Sequence, residues 1–97
     1  MSLPFERKLF DPVRLQIVAL LEDNECVPFK DLKKVLNLSD GNLVSHMRAL
    51  EQCGLIDVSK AFVGRKPQTS YKLTQKGKDN FTKLLNWFFD EFSEATA

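Results

Sequence analysis

The pattern of hydrophobic and polar positions divides the chain into four helical segments and one hairpin. In "DPVRLQIVALLED" apolar residues recur at helical spacing, with Leu15 and Val18 on the predicted inner face. Asp11 can accept hydrogen bonds from the first free amides, and Pro12 suits the first helical position because its φ is fixed. These signals predict a first helix at 12–23, mostly buried.

A short extended piece and a second helix follow. In "ECVPF" the residue before Pro28 is held out of the helical region, so this stretch is predicted to be extended. The next apolar positions predict a helix at 29–36, with Leu32, Val35 and Leu36 facing inward.

A third helix is predicted at 40–53 after the turn "NLS". Ser39 is a good N-cap, and Gly54 suits the left-handed position that ends a helix. One side of the helical wheel carries Leu43, Met47 and Leu50, flanked by Val44. The other side carries small or polar residues: Gly41, Asn42, Ser45, Arg48, Ala49 and Gln52, with His46 at its edge. One face is therefore core, and the other is polar with short side chains.

A hairpin and a last helix complete the pattern. The runs "LIDVSKAF" and "TSYKLT" alternate as strands do, and "VGRKPQ" between them supplies Gly64 and Pro67 as turn residues, which predicts a hairpin over 55–74. Thr74 can cap a helix at 75–92. Two helices joined by a tight turn and followed by a basic hairpin describe a winged helix-turn-helix.

Composition supports a single small domain spanning 1–97. The chain has 97 residues, a net charge of +1 and 43% hydrophobic content, which fits one modest core. Charge interrupts every apolar run, so no membrane span is predicted. The start "MSLPFERKLF" lacks the features of a secretory signal, so a cytoplasmic protein is expected. Cys26 and Cys53 are then expected to be free buried thiols, with a redox role for Cys53 left open.

Charge is distributed unevenly along the chain. Between Val58 and Lys78 there are six basic residues and no acidic ones: Lys60, Arg65, Lys66, Lys72, Lys76 and Lys78. Acidic residues cluster before and after this zone. A basic zone over the predicted hairpin indicates an anionic partner.

The polar face of the third helix has the chemistry of a DNA-reading surface. A helix that enters the major groove, about 12 Å wide, needs small residues near its N-terminus and short polar groups. Asn42 can make a bidentate contact with adenine, Arg48 can reach phosphate or guanine, and Ser45 and His46 can donate hydrogen bonds. Such a face can also be merely solvated, and a basic turn can merely add solubility. Both features in this order favour DNA binding.

The stretch "LSDGNLVSHMRALEQCGLIDVSKAFVGRKPQTSYKLTQKGKDNF" resembles the winged-helix DNA-binding family of small prokaryotic transcriptional regulators related to the MarR-like and ArsR-like groups. The matching pieces are "LSDGNLVSHMRALEQCGLI" for the recognition helix, "GRKPQTSYKLT" for the wing and "LTQKGKDNF" for the start of the last helix. The resemblance implies a homodimer on a pseudo-palindromic operator. It matches Asn42, Ser45 and His46 to recognition-helix positions and Arg65 to the wing tip. It does not imply metal sensing, because the paired ligands of ArsR-type metal sensors are missing.

These observations predict a mainly α fold with a small β-hairpin and an additional C-terminal dimerisation helix. The predicted DNA contacts are Ser39, Gly41, Asn42, Ser45, His46, Arg48, Ala49, Arg65 and Lys66. The last helix has more apolar surface than one stripe needs, and the predicted dimer contacts are Phe81, Leu84, Leu85, Trp87, Phe88 and Phe92, with Phe89 beside them. Helix one or the "LPFERKLF" arm of the partner would complete the interface. The alternative is a monomer whose own arm folds back over the helix.

Three other function classes compete with a DNA-binding regulator. A winged-helix protein-protein adaptor would use the aromatic last helix as its functional surface. A small-molecule effector is compatible with the fold, but no residue pattern indicates one, and no cofactor is predicted. Catalysis is rejected, because one histidine forms no Cys-His or Ser-His-Asp set and no glycine-rich phosphate loop is present.

Overall fold

The computed structural model describes residues 2–93, which form four α-helices and a three-stranded antiparallel sheet. In chain order the elements are a 3-10 turn (Arg7–Leu9), α1 (Pro12–Asp23), β1 (Val27–Pro28), α2 (Phe29–Leu36), α3 (Asp40–Gln52), β2 (Ile56–Val63), β3 (Lys66–Leu73) and α4 (Gln75–Phe92). The predicted winged helix-turn-helix order is confirmed. The third helix ends at Gln52, because Cys53 forms its C-cap.

Side-chain caps start three of the four helices where the sequence signals place them. The Asp11 carboxylate accepts hydrogen bonds from the amides of Val13, at 2.9 Å, and Arg14, at 3.1 Å. Ser39 caps α3 through the Asn42 amide, at 3.2 Å, and Thr74 caps α4 in the same way. Each cap satisfies amides that have no partner within the helix, so these helix starts depend on a few local residues.

The sheet has one strand more than predicted. Its order is β1-β3-β2, and β1 pairs with β3 through Val27 opposite Tyr71 and Pro28 opposite Ser70. The sequence predicts the extended backbone of this piece but not its pairing. A two-residue strand is too short to show alternation, so its position depends on the strand it meets.

β2 and β3 form the long hairpin, here called the wing. Val63 pairs with Lys66, so the turn consists of Gly64 and Arg65, and Gly64 has a φ of 65° that favours glycine. Pro67, predicted as a turn residue, instead lies in β3 opposite Phe62. It is tolerated there because β1 ends before this point and leaves the outer edge of β3 open.

The core lies between the helices and the inner face of the sheet. Its buried side chains are Phe5, Leu9, Ile17, Val18, Leu21, Leu32, Leu43, Met47, Leu50, Leu55, Ile56, Tyr71, Leu73 and Leu84. The prediction for Val35 is wrong, since this side chain is 65% exposed. On the helical wheel of α2, Phe29 and Leu36 lie on one side of Leu32, and Val35 lies on the other. The sheet covers the side of Phe29, whose ring lies 6.4 Å from the ring of Tyr71. Val35 is therefore left in solvent.

The N-terminal arm packs on α4 of its own chain. Phe5 is buried, and its ring lies 5.5 Å from that of Trp87 in an edge-on arrangement. The Glu6 amide donates to Oδ1 of Asn80 over 2.6 Å. This is the folded-back arm that the sequence analysis gives as the alternative to an arm reaching a partner.

Candidate nucleic-acid interface

The outer face of α3 presents short polar side chains to solvent. Gly41, Asn42, Ser45 and Arg48 are exposed, whereas Leu43, Met47 and Leu50 lie on the buried side. Ala49 lies on the same side of the wheel but is half-buried. Ser39 is also exposed, but its hydroxyl oxygen already accepts the capping hydrogen bond. The structure therefore brings the four exposed residues together on one free surface, as the wheel predicts.

Neither packing nor backbone conformation within residues 2–93 requires a glycine at position 41. A Cβ built on it meets no atom within 4 Å, and its φ is not in the left-handed region. A glycine inside a helix costs about 0.5–1 kcal/mol relative to alanine. The open space at Gly41 leaves room for another molecule to approach this part of α3 closely.

His46 is turned towards α1 and is half-buried. Its Nδ1 accepts a hydrogen bond of 3.1 Å from Nε of Arg14, which places the ring proton on Nε2. Arg14 also donates from Nη1 to the carbonyl of Lys8 in the 3-10 turn, at 3.0 Å. Of the predicted recognition-helix residues, His46 is thus the one tied to the body of the domain, which the wheel position alone could not reveal.

A basic side chain next to α3 balances the one acidic residue in its first turn. Nζ of Lys33 in α2 lies 2.8 Å from Oδ1 of Asp40. Both side chains are exposed, so the pair adds little stability. It does offset the negative charge of Asp40 at the start of α3. The sequence analysis missed this pair, although the lysines on the outer face of α2 are its visible signal.

The wing stands beside α3 and carries the predicted cations at its tip. Arg65 and Lys66 are both exposed. Between α3 and the wing runs an open groove of about 340 Å³, lined by Phe29, Val44, Met47, Arg48, Glu51, Val58, Lys60, Thr69 and Tyr71. Arg48 of the helix and Lys60 of the wing thus border the same groove, and the polar face of α3 and the basic hairpin belong to one continuous surface.

The apolar surface of α4 is divided between the core and solvent. Leu84 is fully inside the core of its own chain, and Phe81 and Trp87 are half-buried, with Trp87 against the rings of Phe5 and Phe10. These contacts correct the predicted dimer set, because Leu84 is not available to a partner. The residues that stay exposed are Leu85, Phe88, Phe89 and Phe92. We call these four the α4 apolar patch.

Comparison with known proteins decides the family. The profile of the winged helix DNA-binding domain matches residues 13–90, which include all of the α-helices and strands described above except Pro12 at the start of α1 and the last two residues of α4. The chain belongs to this winged helix DNA-binding domain family. It is also similar to the uncharacterized protein MJ0432 of Methanocaldococcus jannaschii, with 41% identity over 79 residues, 80% of this chain and 86% of that protein.

Solved structures share the winged-helix fold. The transcriptional regulator homologue protein from Pyrococcus horikoshii OT3 superposes with a TM-score of 0.87 at 33% identity, over 95% of this chain and 91% of that one. MarR superposes with a TM-score of 0.72 at 14% identity, over 90% of this chain and 66% of its own. An ArsR family transcriptional regulator, RHA00566, gives 0.58 at 19% identity, over 94% of this chain and 86% of its own. The last two likenesses show the fold alone.

The rest of this winged-helix domain shows little that resembles a metal or redox centre. Within residues 2–93 no cluster of three or more metal-ligating side chains occurs. Cys26 is exposed rather than buried as expected, Cys53 is half-buried, and both are free thiols. Burial and the nearby Glu6 raise the pKa of the Cys53 thiol, which keeps it protonated and less nucleophilic at neutral pH. Over the same residues, no helix combines the length and hydropathy that crossing a membrane requires.

Proposed function

We propose that this chain is a sequence-specific transcriptional regulator that binds double-stranded DNA as a homodimer, with α3 in the major groove and the wing on the backbone or in the minor groove. One observation carries the proposal. The outer face of α3 combines Gly41, Asn42, Ser45 and Arg48 in free solvent, directly beside a wing zone without acidic residues. Membership of a family of DNA-binding domains and the 33% identity to a transcriptional regulator homologue support it. A cytoplasmic location is part of the proposal.

In this arrangement each exposed residue of α3 makes a different contact with DNA. Asn42 reads adenine through two hydrogen bonds, Arg48 contacts guanine or phosphate, and Ser45 donates to a base or to the backbone. Gly41 lets the start of the helix approach the groove closely. Ser39 contributes by capping the helix and Ala49 by its small side chain. His46 contributes through the Nε2 proton, which its hydrogen bond with Arg14 leaves available.

The wing supplies sequence-independent affinity in the same arrangement. Arg65 and Lys66 are long, exposed and cationic, which suits contact with phosphates beside the groove that α3 enters. Lys30 lines a second open groove with Lys66 and Pro67, so the start of α2 and the wing tip present their charges to the same side. Each phosphate neutralised in this way contributes about −0.9 to the slope of log affinity against log salt.

The α4 apolar patch is the surface that we propose for the dimer. Phe88 and Phe92 lie with ring centroids 4.7 Å apart, and Phe89 is 66% exposed. Apolar area left in water forfeits about 25 cal/mol per Å², so a two-fold contact between two such patches stabilises the pair. A two-fold axis at α4 also relates two α3 helices, which is what a pseudo-palindromic operator requires.

The same patch favours a second candidate function, that of a protein-protein adaptor. An adaptor would use the α4 apolar patch for a different protein and leave the wing charges unused. The two candidates differ in their response to salt. A regulator binds duplex DNA with a steep salt dependence, whereas an adaptor hardly binds it.

Selection of bound sequences from a random duplex pool tests the proposed function. The expected result is an enriched inverted repeat whose half-sites are centred one DNA turn, about 10 base pairs, apart. Recovery of no common sequence, together with salt-independent or absent binding of the pool, would reject the regulator and favour the adaptor.

A further inference from the structure

The wing carries a large apolar side chain that its own chain does not cover. Phe62 is 75% exposed, more than any other large hydrophobic residue in the described part of the chain. It lies three residues before Arg65, within a hairpin whose inner half packs on the domain and whose outer half is solvated. An exposed phenylalanine adds nothing to the folded core and is free to contact another molecule.

The pairing of the wing shows which way Phe62 faces. Val58 and Lys60 line the groove against α3, together with Arg48. Residues two apart on a strand share a face, so Phe62 lies on this α3-facing side, further out towards the tip. Val63 lies on the opposite side of the sheet. A duplex that receives α3 in its major groove therefore meets the side of the wing that carries Phe62.

The register of the wing determines the cross-strand neighbour of Phe62. Phe62 and Pro67 are directly opposite each other in the register, one pair before the two-residue turn. In a hairpin closed by such a turn this is a pair without mutual hydrogen bonds, in which the side chains come closest. Pro67 is therefore the cross-strand neighbour of Phe62 on the same face of the wing.

The charges around Phe62 indicate the chemistry of its partner. Lys60, Arg65 and Lys66 lie within four residues of it along the hairpin, and the chain has no acidic residue between Val58 and Lys78. An apolar ring near these cations suits a surface that is anionic at its rims and apolar along its walls. The minor groove of DNA has this character, with phosphates along the rims and deoxyribose along the walls, and apolar side chains enter it in other DNA-binding proteins.

We propose that Phe62 is an apolar minor-groove contact of the wing, packing on the deoxyribose wall of the groove next to the one that α3 reads. This inference rests on the proposed DNA-binding function. It assigns the wing two separable parts, in which Arg65 and Lys66 neutralise phosphates and Phe62 adds a contact that depends on groove width and is independent of charge.

The test compares Phe62→Ala with Val35→Ala on the duplex recovered by the selection experiment. Val35 is the control, because it is an apolar residue of α2 that is 65% exposed and lies beside Leu20 and Asp23 of α1, away from the wing. Loss of a phenyl contact is expected to weaken binding by at least about tenfold. The slope of log affinity against log salt should stay that of the parent, since no charge is removed, whereas Arg65→Ala should reduce it. Hydroxyl-radical footprinting of the duplex should lose protection of sugars beside the α3 site in Phe62→Ala only.

Both variants are expected to melt with the parent, since both side chains are exposed. Equal affinity and equal sugar protection for Phe62→Ala and the parent would overturn the inference. So would a Phe62→Ala variant that binds DNA normally but sediments at a different mass, since this would assign the ring to a protein contact. Failure of the parent to bind any duplex is a different result, because it removes the proposed function itself.

Discussion

Nε of Arg14 in α1 donates a hydrogen bond to Nδ1 of His46 in α3 over 3.1 Å. The same guanidinium donates to the Lys8 carbonyl, and the Arg14 amide donates to Asp11, so one residue connects the arm, the start of α1 and α3. The bond joins residues 32 positions apart along the chain. It adds to the packing of Leu43, Met47 and Leu50 in holding α3 on the domain.

A double-mutant cycle with Arg14→Ala and His46→Ala tests this connection. A partly buried side-chain hydrogen bond contributes about 0.5–1.5 kcal/mol to the free energy of unfolding, so we expect a coupling energy in that range from urea unfolding. Arg48→Ala, on the exposed face of α3, is the control and should show no coupling with Arg14→Ala. Additive effects of the Arg14 and His46 changes would contradict the connection.

Replacing Asn42 and Ser45 together by alanine should lower the affinity for the selected operator while leaving the melting temperature unchanged. Both side chains are exposed on the face of α3 opposite its core residues. Each good base contact is worth about 1–3 kcal/mol. Fluorescence anisotropy with the selected duplex measures the loss. If the double variant melts like the parent and binds the operator as tightly, α3 is not the reading helix.

The two helical glycines should respond in opposite ways to alanine. A Cβ on Gly77 would overlap the carbonyl oxygen of Leu55, so α4 would have to move. Gly77→Ala should therefore lower the free energy of unfolding by more than about 2 kcal/mol. A Cβ at position 41 meets no atom within 4 Å, so Gly41→Ala should raise the free energy of unfolding by about 0.5–1 kcal/mol. The same substitution should weaken operator binding. Thermal melts and anisotropy on both variants check this. A Gly41→Ala protein that binds as well as the parent would remove close approach as the reason for the glycine.

The α4 apolar patch should control the oligomeric state. Phe88→Glu with Phe92→Glu is expected to convert a dimer into a monomer and to weaken operator binding. Sedimentation equilibrium at tens of micromolar protein distinguishes the two states, because the dimer has twice the 11.1 kDa of one chain. Thr82→Glu with Asn86→Glu adds the same charge to exposed polar positions of α4 and should leave the dimer intact. A parent protein that sediments at the mass of one chain would reject the dimer. Trp87 is unsuitable for this test, because its substitution would also release the arm.

Asp11 should make part of the stability depend on pH in the acidic range. Burial acts to raise the pKa of its carboxyl, but hydrogen bonds from the Arg14 and Val13 amides outweigh it, and the pKa lies below its usual value. A lowered folded-state pKa means that this contribution is complete above the unfolded value of about 3.9 and is lost as pH falls through the folded value. Asp11→Ala should therefore cost about 1 kcal/mol in urea unfolding at pH 7 and much less near pH 2. Asp11→Asn, which keeps a capping oxygen, is the control, and an Asp11→Ala cost that is the same at both pH values would contradict the charged cap.

Much of the secondary structure can be read from the sequence because its signals act over a few residues. Asp11 with Pro12 and the caps Ser39 and Thr74 lie directly before the helices they start. The inner and outer faces of α3 follow from the helical period, because a helix of known direction in a small domain has only one apolar side to bury. The hairpin follows from alternation on either side of Gly64, although its turn is shorter than the turn residues suggest.

The position of His46 within the candidate site could not be read in the same way. A wheel gives the direction of a side chain around its own helix, but not which neighbouring helix comes within hydrogen-bond distance. The same limit applies to Leu84 and to Val35. Leu84 has the same apolar character as its exposed neighbours on α4, and Val35 is as apolar as the buried Leu32.

The sequence by itself determined the order and limits of the helices, the hairpin, the outer face of α3 and the basic zone of the wing. Only the tertiary structure decided that β1 joins the sheet, that the arm covers Trp87, and that Arg14 holds His46. The physical reason is distance along the chain. The Glu6 amide meets Asn80 across 74 positions, and such contacts form only after packing has brought separate elements together. Caps and periodicity act within one or two turns, so they can be recognised before the fold is known.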